Sequence, residues 1–511
     1  MKKFLSLILV VIMMFSLAAC NNTGDTETTA PASPTENTSS SESSSSESSS
    51  SSEQKPPENE NDTTKVFDEN KIVFSFAAIS DIHIGNDTSN RDETQFKNAL
   101  LQIKAFAQQK DADGIDAILA VGDLFEGSGY GGSNDLIKEY KKIYESVYDP
   151  TVTPMIHAVG NHDLKWDHTA KDVAALQNTM LGSNYFLTDI DQNILAKEGN
   201  RHCVIDGYHI ITLLPVTSTQ VSYTQATKDW LDQTLAQITA ENPNAYVIIL
   251  THPMIYDTVY GSTLGREPGS TLTDMWATSD LTDILSKYNQ VITFGGHLHF
   301  PLNDPRSIMQ TAFTSLGCGS VNYMAIEDGK YENMASATTM KDKNEFSQGL
   351  ICQIDENGNM RITRMDFYNE TTIGEVWEIS HPTSDGSHLT AYGKDRGSPE
   401  KNSAPVISQN IKAVITKSGN KKQVTIEFDA AQDDTFVHHY TMVFKNTKTG
   451  KTLKTFNILS DFYRASTPED MSQTLSCAIG TLGSNDYEVI LTAYDSWGAA
   501  SESVSLAFKV E

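Results

Sequence analysis

Cationic residues are scarce in this chain of 511 residues: 38 Lys and Arg stand against 66 Asp and Glu, a formal net charge of -28. A nucleic-acid binder needs Lys and Arg against phosphates, so no nucleic-acid-binding surface is expected. Cysteine is sparse as well, with five residues. Cys203, Cys318, Cys352 and Cys477 show no close-paired spacing, which supports neither a disulfide framework nor a Cys-based zinc site. Long apolar runs are also missing. The run at 4–17 is shorter than the roughly 20 residues needed to cross a bilayer, and no later segment reads as transmembrane.

What is present begins at that short run. Lys2 and Lys3 precede it and Leu17-Ala18-Ala19-Cys20 ends it, the layout of an export signal. The ending resembles the bacterial lipobox, which implies cleavage before Cys20 and lipidation of its thiol. Residues 1–20 are therefore expected to be a lipoprotein signal peptide, and the mature protein to be extracytoplasmic, lipid-anchored to the bacterial cell membrane. Residues 21–65 are dominated by Ser, Thr, Glu and Pro, with Lys55 their one base before Lys65. They have nothing to bury and are expected to be a disordered tether.

From residue 66 the pattern changes. Apolar runs at 72–79, 115–121, 151–159, 246–250 and 291–294 read as strands. Between them, sets such as Phe96, Leu100, Ile103 and Ala107, or Trp230, Leu231, Leu235 and Ile238, recur at helical spacing. Leu136, Tyr140, Ile143, Tyr144 and Val147, then Leu281, Ile284 and Leu285, mark two more helices. Strands alternating with helices predict an α/β domain over 66–380. Its later part, 308–313, 349–354 and 360–367, reads as strands, the last two joined by a turn at Glu356-Asn357-Gly358-Asn359. Residues 381–404 carry Gly, Ser and Pro throughout and read as a linker. Residues 405–511 have the length of a small all-β sandwich, and 487–495 resembles the penultimate strand of fibronectin type III or immunoglobulin-like modules. Such a module could contact cell wall or polysaccharide.

Polar clusters stand just after these strands, where open α/β sheets hold their ligands. They are Asp81 with His83, Asp123, Gly160-Asn161-His162-Asp163, His252, and His297 with His299. Residues two apart on an extended segment point the same way, so each Asp/His or His/His pair can aim two ligands into one cleft. Mixed oxygen and nitrogen donors suit Mn, Fe or Zn. The two oxygens of Asp123 could bridge cations roughly 3.5–4 Å apart. Gly160 is expected to let the backbone turn sharply.

Taken in order, D-x-H, G-D, G-N-H-D, a lone His and G-H-x-H resemble the calcineurin-like metallophosphoesterase family, over roughly residues 71–367. The resemblance implies a four-layer αββα sandwich and two divalent metal ions, Mn, Fe or Zn. It implies that Asp81, His83, Asp123 and His299 hold one ion, and Asp123, Asn161, His252 and His297 the other. Bridging water would attack phosphorus in line, with His162 as the catalytic imidazolium and Asp163 as its orienter. Glu126 stands where the related purple acid phosphatases carry a ligating tyrosine, so a colourless site is expected.

The substrate expected is a small-molecule or cell-surface phosphoester. A diester is slightly favoured over a monoester, because no basic pocket for a dianion is evident. Specificity is expected from 256–275, 300–306, Trp166 and the Gly-rich 127–133, with Arg266 and Arg306 as candidate contacts. His157, His202 and His209 read as structural, and His438-His439 as loop decoration. The competing reading is a surface-binding lipoprotein that adheres through its β-sandwich and uses the α/β domain as scaffold.

Overall fold

The first apolar run forms β1 (Ile72–Ile79), whose last six residues are buried. The computed structural model describes residues 67–86, 88–110, 114–126, 134–163, 200–215, 221–264, 276–326 and 343–511. After β1 come α1 (Arg91–Lys110), β2 (Ala117–Val121), α2 (Asn134–Glu145) and β3 (Met155–Ala158). The three strands pair in parallel. Phe96, Leu100 and Ile103 of α1 and Tyr140 and Tyr144 of α2 share one core with them.

A second group follows: β4 (Arg201–Ile205), β5 (Tyr208–Thr212), α3 (Gln225–Glu241), β6 (Val247–His252), the short pair β7 (Met254–Ile255) and β8 (Ala277–Thr278), α4 (Thr282–Leu285), β9 (Val291–Gly295), β10 (Ile308–Gln310) and β11 (Thr314–Gly317). The run expected as one strand at 308–313 is strand only over 308–310, because Thr311 N donates to Phe313 O in the turn that leads into β11. Then β12 (Gln348–Asp355), β13 (Met360–Asp366), β14 (Thr371–Thr372) and β15 (Trp377–Ile379) return to the first sheet.

The first sheet runs β14-β13-β12-β1-β2-β3, with β15 also on β13, and the second runs β10-β11-β9-β6-β5-β4. β6 shows how they stack. Val247 and Ile249 pack with Leu231, Leu235 and Ile238 of α3. The alternate residues Ile248 and Leu250 face the other way, into the core shared with the first sheet. Phe76 of β1 meets Phe294 of β9 edge to face at 5.8 Å across that core. Two facing sheets with helices packed outside them make the expected αββα arrangement.

Register decides where the polar clusters fall. Ile79 is level with Ala120, and Val121 with Ala158. In the other sheet, His252 is level with Gly295. The carboxyl ends of β1, β2, β3, β6 and β9 therefore open on a common edge.

The C-terminal strands are β16 (Ile411–Ser418), β17 (Lys421–Asp429), β18 (Val437–Asn446), β19 (Thr452–Leu459), β20 (Thr474–Leu482), β21 (Asn485–Asp495) and β22 (Val504–Val510). They form antiparallel sheets β16-β17-β20 and β19-β18-β21-β22. Alternate residues such as Val424, Ile426, Tyr440, Met442, Val489 and Leu491 are buried between them, as a sandwich requires.

Three features differ from expectation. Residues 381–404 are tied to the α/β region: His388 Nε2 meets Asn289 O at 3.1 Å, Gln310 N donates to Tyr392 O, and Arg396 donates to Pro305 O and Ile308 O. His438 is no loop decoration, since it lies within β18, 2% exposed, with Nε2 3.0 Å from Tyr260 OH. Tyr260, Leu298, Phe300 and Met309 share a core with Tyr440, Ile458 and Phe462 of the sandwich. Thr63–Glu511 is accordingly one compact unit.

Arg306 is engaged by its neighbours. It forms a two-pronged pair with Asp304 at 2.8 and 2.6 Å and lies over the Tyr260 ring. The thiols of Cys203, Cys318, Cys352 and Cys477 are buried and free. Among the described residues no helix is long and apolar enough to cross a membrane. Residues 1–66, 127–133, Trp166, Arg266 and 265–275 lie outside the described residues.

Candidate metal centre

The backbone at the open edge is unusual before any side chain is considered. Among the described residues ten non-glycines have positive φ, and six of them are Asp81, His83, Asp123, His252, His297 and His299. A left-handed non-glycine costs about 1–3 kcal/mol when held there, so strain concentrates on the predicted ligands. Paired loops hold it in place. Asp81 N donates to Gly122 O, His83 N to Asp123 O and Ile84 N to Leu124 O, continuing the β1–β2 ladder past the strand ends.

The glycines of the motifs have a steric reason. A Cβ on Gly160 would lie 2.1 Å from Asp123 Oδ1, and one on Gly296 would lie 1.8 Å from Ser80 Oγ. One on Gly122, which also has φ +95°, would meet the His252 ring at 2.5 Å. Gly160 is not among the positive-φ glycines, so its need is space and not a sharp turn.

Two groups of side chains converge on a shared Asp123, and a third, His83 with Glu126 and His162, shares His83 with the first. Asp81, His83, Asp123 and His299 form the first, and Asp123, His252 and His297 the second. In each group the ligand atoms lie within 4.8 Å of one another. Asn161 joins the second, with Oδ1 3.1 Å from His252 Nε2. Asp123 Oδ1 accepts from His162 N at 2.8 Å, which leaves Oδ2 facing both groups, 3.3 Å from His252 Nε2 and 3.8 Å from His83 Nε2. Only one Asp123 oxygen is thus turned toward both groups, where the sequence led us to expect both.

The donor set fits two cations. Glu126 Oε2, Val121 O and Tyr323 O can only accept, so the Nδ1 atoms of His83, His252 and His299, each 2.8–3.0 Å from one of them, are the donors. Their Nε2 lone pairs then point inward. His83 Nε2 and His299 Nε2 meet at 3.2 Å, and His299 Nε2 lies 3.1 Å from Asp81 Oδ1. Lone pairs facing lone pairs and carboxylates in a buried site call for a cation between them.

Charge in the protein alone shows the same tension. Burial would raise the Asp81 carboxyl, but neighbouring His299 outweighs it and holds the group down to about 2. Burial would lower the His252 imidazole, but Asp123 and Asp81 carry it up to about 9. A metal needs the neutral ring. With no cation present, the Asp123 and Asp81 charges favour a proton on His252, so loading is expected to expel it and affinity to rise with pH. Calorimetry with Mn²⁺ in two buffers of different ionisation heat should show proton release. Affinity that stays flat between roughly pH 6 and pH 8 would exclude a protonated His252.

Asp163 does not orient His162. Its Oδ1 accepts from Leu124 N and Phe125 N and its Oδ2 from Gly160 N, which ties the second and third loops together. Burial and the Asp123 charge push its carboxyl up to about 7. The carboxylate beside His162 Nδ1 is Glu126, at 2.8 Å.

Tyr323 and Trp276 were not singled out in the sequence, and Glu126 was named there only as standing in place of a ligating tyrosine. The Tyr323 ring lies 4.2 Å from His299, and Trp276 lies 5.3 Å from His297. A charged residue just past the buried Leu124-Phe125 pair was a usable signal for Glu126. None existed for Tyr323, whose hydrogen bond to His299 uses a carbonyl that any residue has.

Residues 74–301 match the family model described as calcineurin-like phosphoesterase. No curated protein matches the chain. Solved structures do, among them a 5′-nucleotidase from Candida albicans SC5314, at 10% identity over 74% of each chain. Its TM-score is 0.30, too low to carry any argument about substrate. Motif order and facing sheets agree with that match to the calcineurin-like phosphoesterase model, which spans residues 74–301 of the chain.

Proposed function

We propose that this protein is a dinuclear-metal phosphoesterase working outside the cytoplasm, held to the membrane by a lipid on Cys20. The observation that carries the hydrolytic reading is the inward convergence of the His83, His252 and His299 Nε2 atoms on Asp81 and Asp123. Asp81, His83, Asp123 and His299 would hold one divalent ion, and Asp123, Asn161, His252 and His297 the other. Bound there, two cations would acidify a water and neutralise phosphoryl charge.

The chain's own contribution is orientation and a proton. His162 Nδ1 faces Glu126, so Nε2 is the nitrogen that would meet the substrate and hand a proton to the leaving oxygen. Arg306 is committed to Asp304, which supports the preference for diesters over dianionic monoesters. The lipid anchor rests on the Leu17-Ala18-Ala19-Cys20 ending of the export signal.

The test is hydrolysis of bis- and mono-p-nitrophenyl phosphate and of an ethyl phosphoester with Mn²⁺, before and after chelation, in wild type and His162→Ala. Chelation should abolish turnover and Mn²⁺ restore it. His162→Ala should keep both metals and lose roughly 10²–10⁴-fold in rate on esters with poor leaving groups. Turnover that survives chelation would sink the metal-dependent reading. Metal loss from His162→Ala would show that His162 is a ligand.

A further inference from the structure

Outside the two ligand sets, one carboxylate stands between a predicted ligand and the predicted acid. Glu126 Oε2 is 2.8 Å from His83 Nδ1 and 2.8 Å from His162 Nδ1. The two rings stand edge to face, 4.9 Å apart. Glu126 is anchored through its backbone. Its N donates to Ile84 O at 2.9 Å, and Ile84 bridges to Phe125 in the paired loops beyond β1 and β2. A Cβ on Gly85 would lie 2.8 Å from Glu126 O, so the neighbouring loop is closed up against it. The Glu126 side chain is 24% exposed and is not a member of the apolar core that holds Leu124 and Phe125.

We propose that Glu126 is a positioning residue for both halves of the site, one carboxylate oxygen holding the Nδ1–H of the metal ligand His83 and the Nδ1–H of His162. The His162 half rests on the hydrolytic reading above; the His83 half concerns metal binding alone. A neutral imidazole can carry its proton on either nitrogen, and an acceptor at Nδ1 selects the tautomer whose Nε2 lone pair serves a metal. One carboxylate oxygen has lone pairs enough for two donors. For His162 the same oxygen sets the plane of the ring and so the direction of Nε2–H. As a water-derived hydroxide forms the new P–O bond, the ester P–O bond breaks and its electron pair stays on the leaving oxygen. The Nε2 proton of His162 moves there, and water later returns a proton to the neutral ring. The Nδ1 proton stays with the ring throughout, hydrogen-bonded to Glu126. Occupancy of the first metal site and aim of the acid are thereby coupled through one side chain.

Leaving groups separate this role from a merely structural one. A p-nitrophenolate departs without a proton, whereas an alkoxide needs one. Metal-free Glu126→Ala should bind Mn²⁺ roughly 10–100-fold more weakly at one site, as expected when a ligand loses its supporting acceptor. At saturating Mn²⁺, the same variant should slow an ethyl ester by about 10²-fold more than a p-nitrophenyl ester. Glu126→Gln keeps an acceptor oxygen but no charge, so it should recover most of the Mn²⁺ affinity and little of the ethyl-ester rate. In a His162→Ala background, Glu126→Ala should add nothing to the ethyl-ester loss and still weaken Mn²⁺. Unchanged Mn²⁺ affinity with an unchanged leaving-group dependence would overturn the proposal, as would additive ethyl-ester losses in the double variant. If the wild-type protein cleaves no phosphoester while Glu126→Ala still weakens Mn²⁺, the hydrolytic reading fails and the His83 half stands.

Discussion

Asp123→Asn is expected to lower kcat/KM for phosphoester hydrolysis on the order of 10³-fold or more, and to remove metal from both positions. Asp123 is the one residue common to the two groups of ligands. Its Oδ1 accepts from the backbone of His162, while Oδ2 faces His252 on one side and His83 on the other. An asparagine in that place would keep its oxygen on the His162 N–H and turn its amide N–H₂ toward the cations. It would therefore replace a shared anionic ligand with a pair of donors, a reversal of sign in a buried site. Elemental analysis of the purified variant, with p-nitrophenyl ester turnover, reads both effects. Two equivalents of metal with wild-type turnover would exclude Asp123 from the centre.

Ending the chain before Pro405 is expected to destroy the phosphoesterase, whereas a separable attachment module would leave it active. Tyr260, Leu298, Phe300 and Met309 share their core with Tyr440, Ile458 and Phe462 of the sandwich. Uncovering several large apolar side chains costs roughly 1.5–3 kcal/mol each, a large part of the 5–15 kcal/mol that holds a domain folded. The damage also falls next to the predicted ligands. Leu298 and Phe300 flank the predicted ligand His299, and Tyr260 sits on the segment that follows His252. The shortened chain should be insoluble, or melt more than about 10 °C lower and bind Mn²⁺ poorly. A soluble fragment with full-length melting temperature and turnover would show that the sandwich is dispensable.

Much of the α/β framework was legible because its periodicities are strong. β1 has the predicted bounds, and the helical sets at Phe96 and Leu231 face the core as expected. The hairpin of β4 and β5 was harder to see. Its strands are only partly buried, so apolar alternation is weak, although the Asp206-Gly207 turn, with φ of +48° and +88°, was a readable sign. The predicted ligands were legible for a different reason. Metal donors come from few residue types, and ligands on neighbouring strand ends leave short motifs in the chain.

What each donor's partner is could not be read in the same way. Asp163 lies next to His162 in sequence, yet its carboxylate is bound by the backbone of Leu124, Phe125 and Gly160, while Glu126 comes from another loop to meet the imidazole. Gly160 looked like a turn and proves to be room for Asp123. His438 looked like surface and proves to be buried against Tyr260. The amino-acid sequence by itself determined the alternation of strands and helices, the strand ends and which side chains could bind metal, because periodicity and ligand chemistry are local properties. The layer order came from the resemblance to a known family. Only the tertiary structure decided which carboxylate serves which imidazole, which oxygen of Asp123 faces both groups, and that the sandwich is part of the same core. Those are distances between residues far apart in the chain, set by how the sheets and loops close on one another.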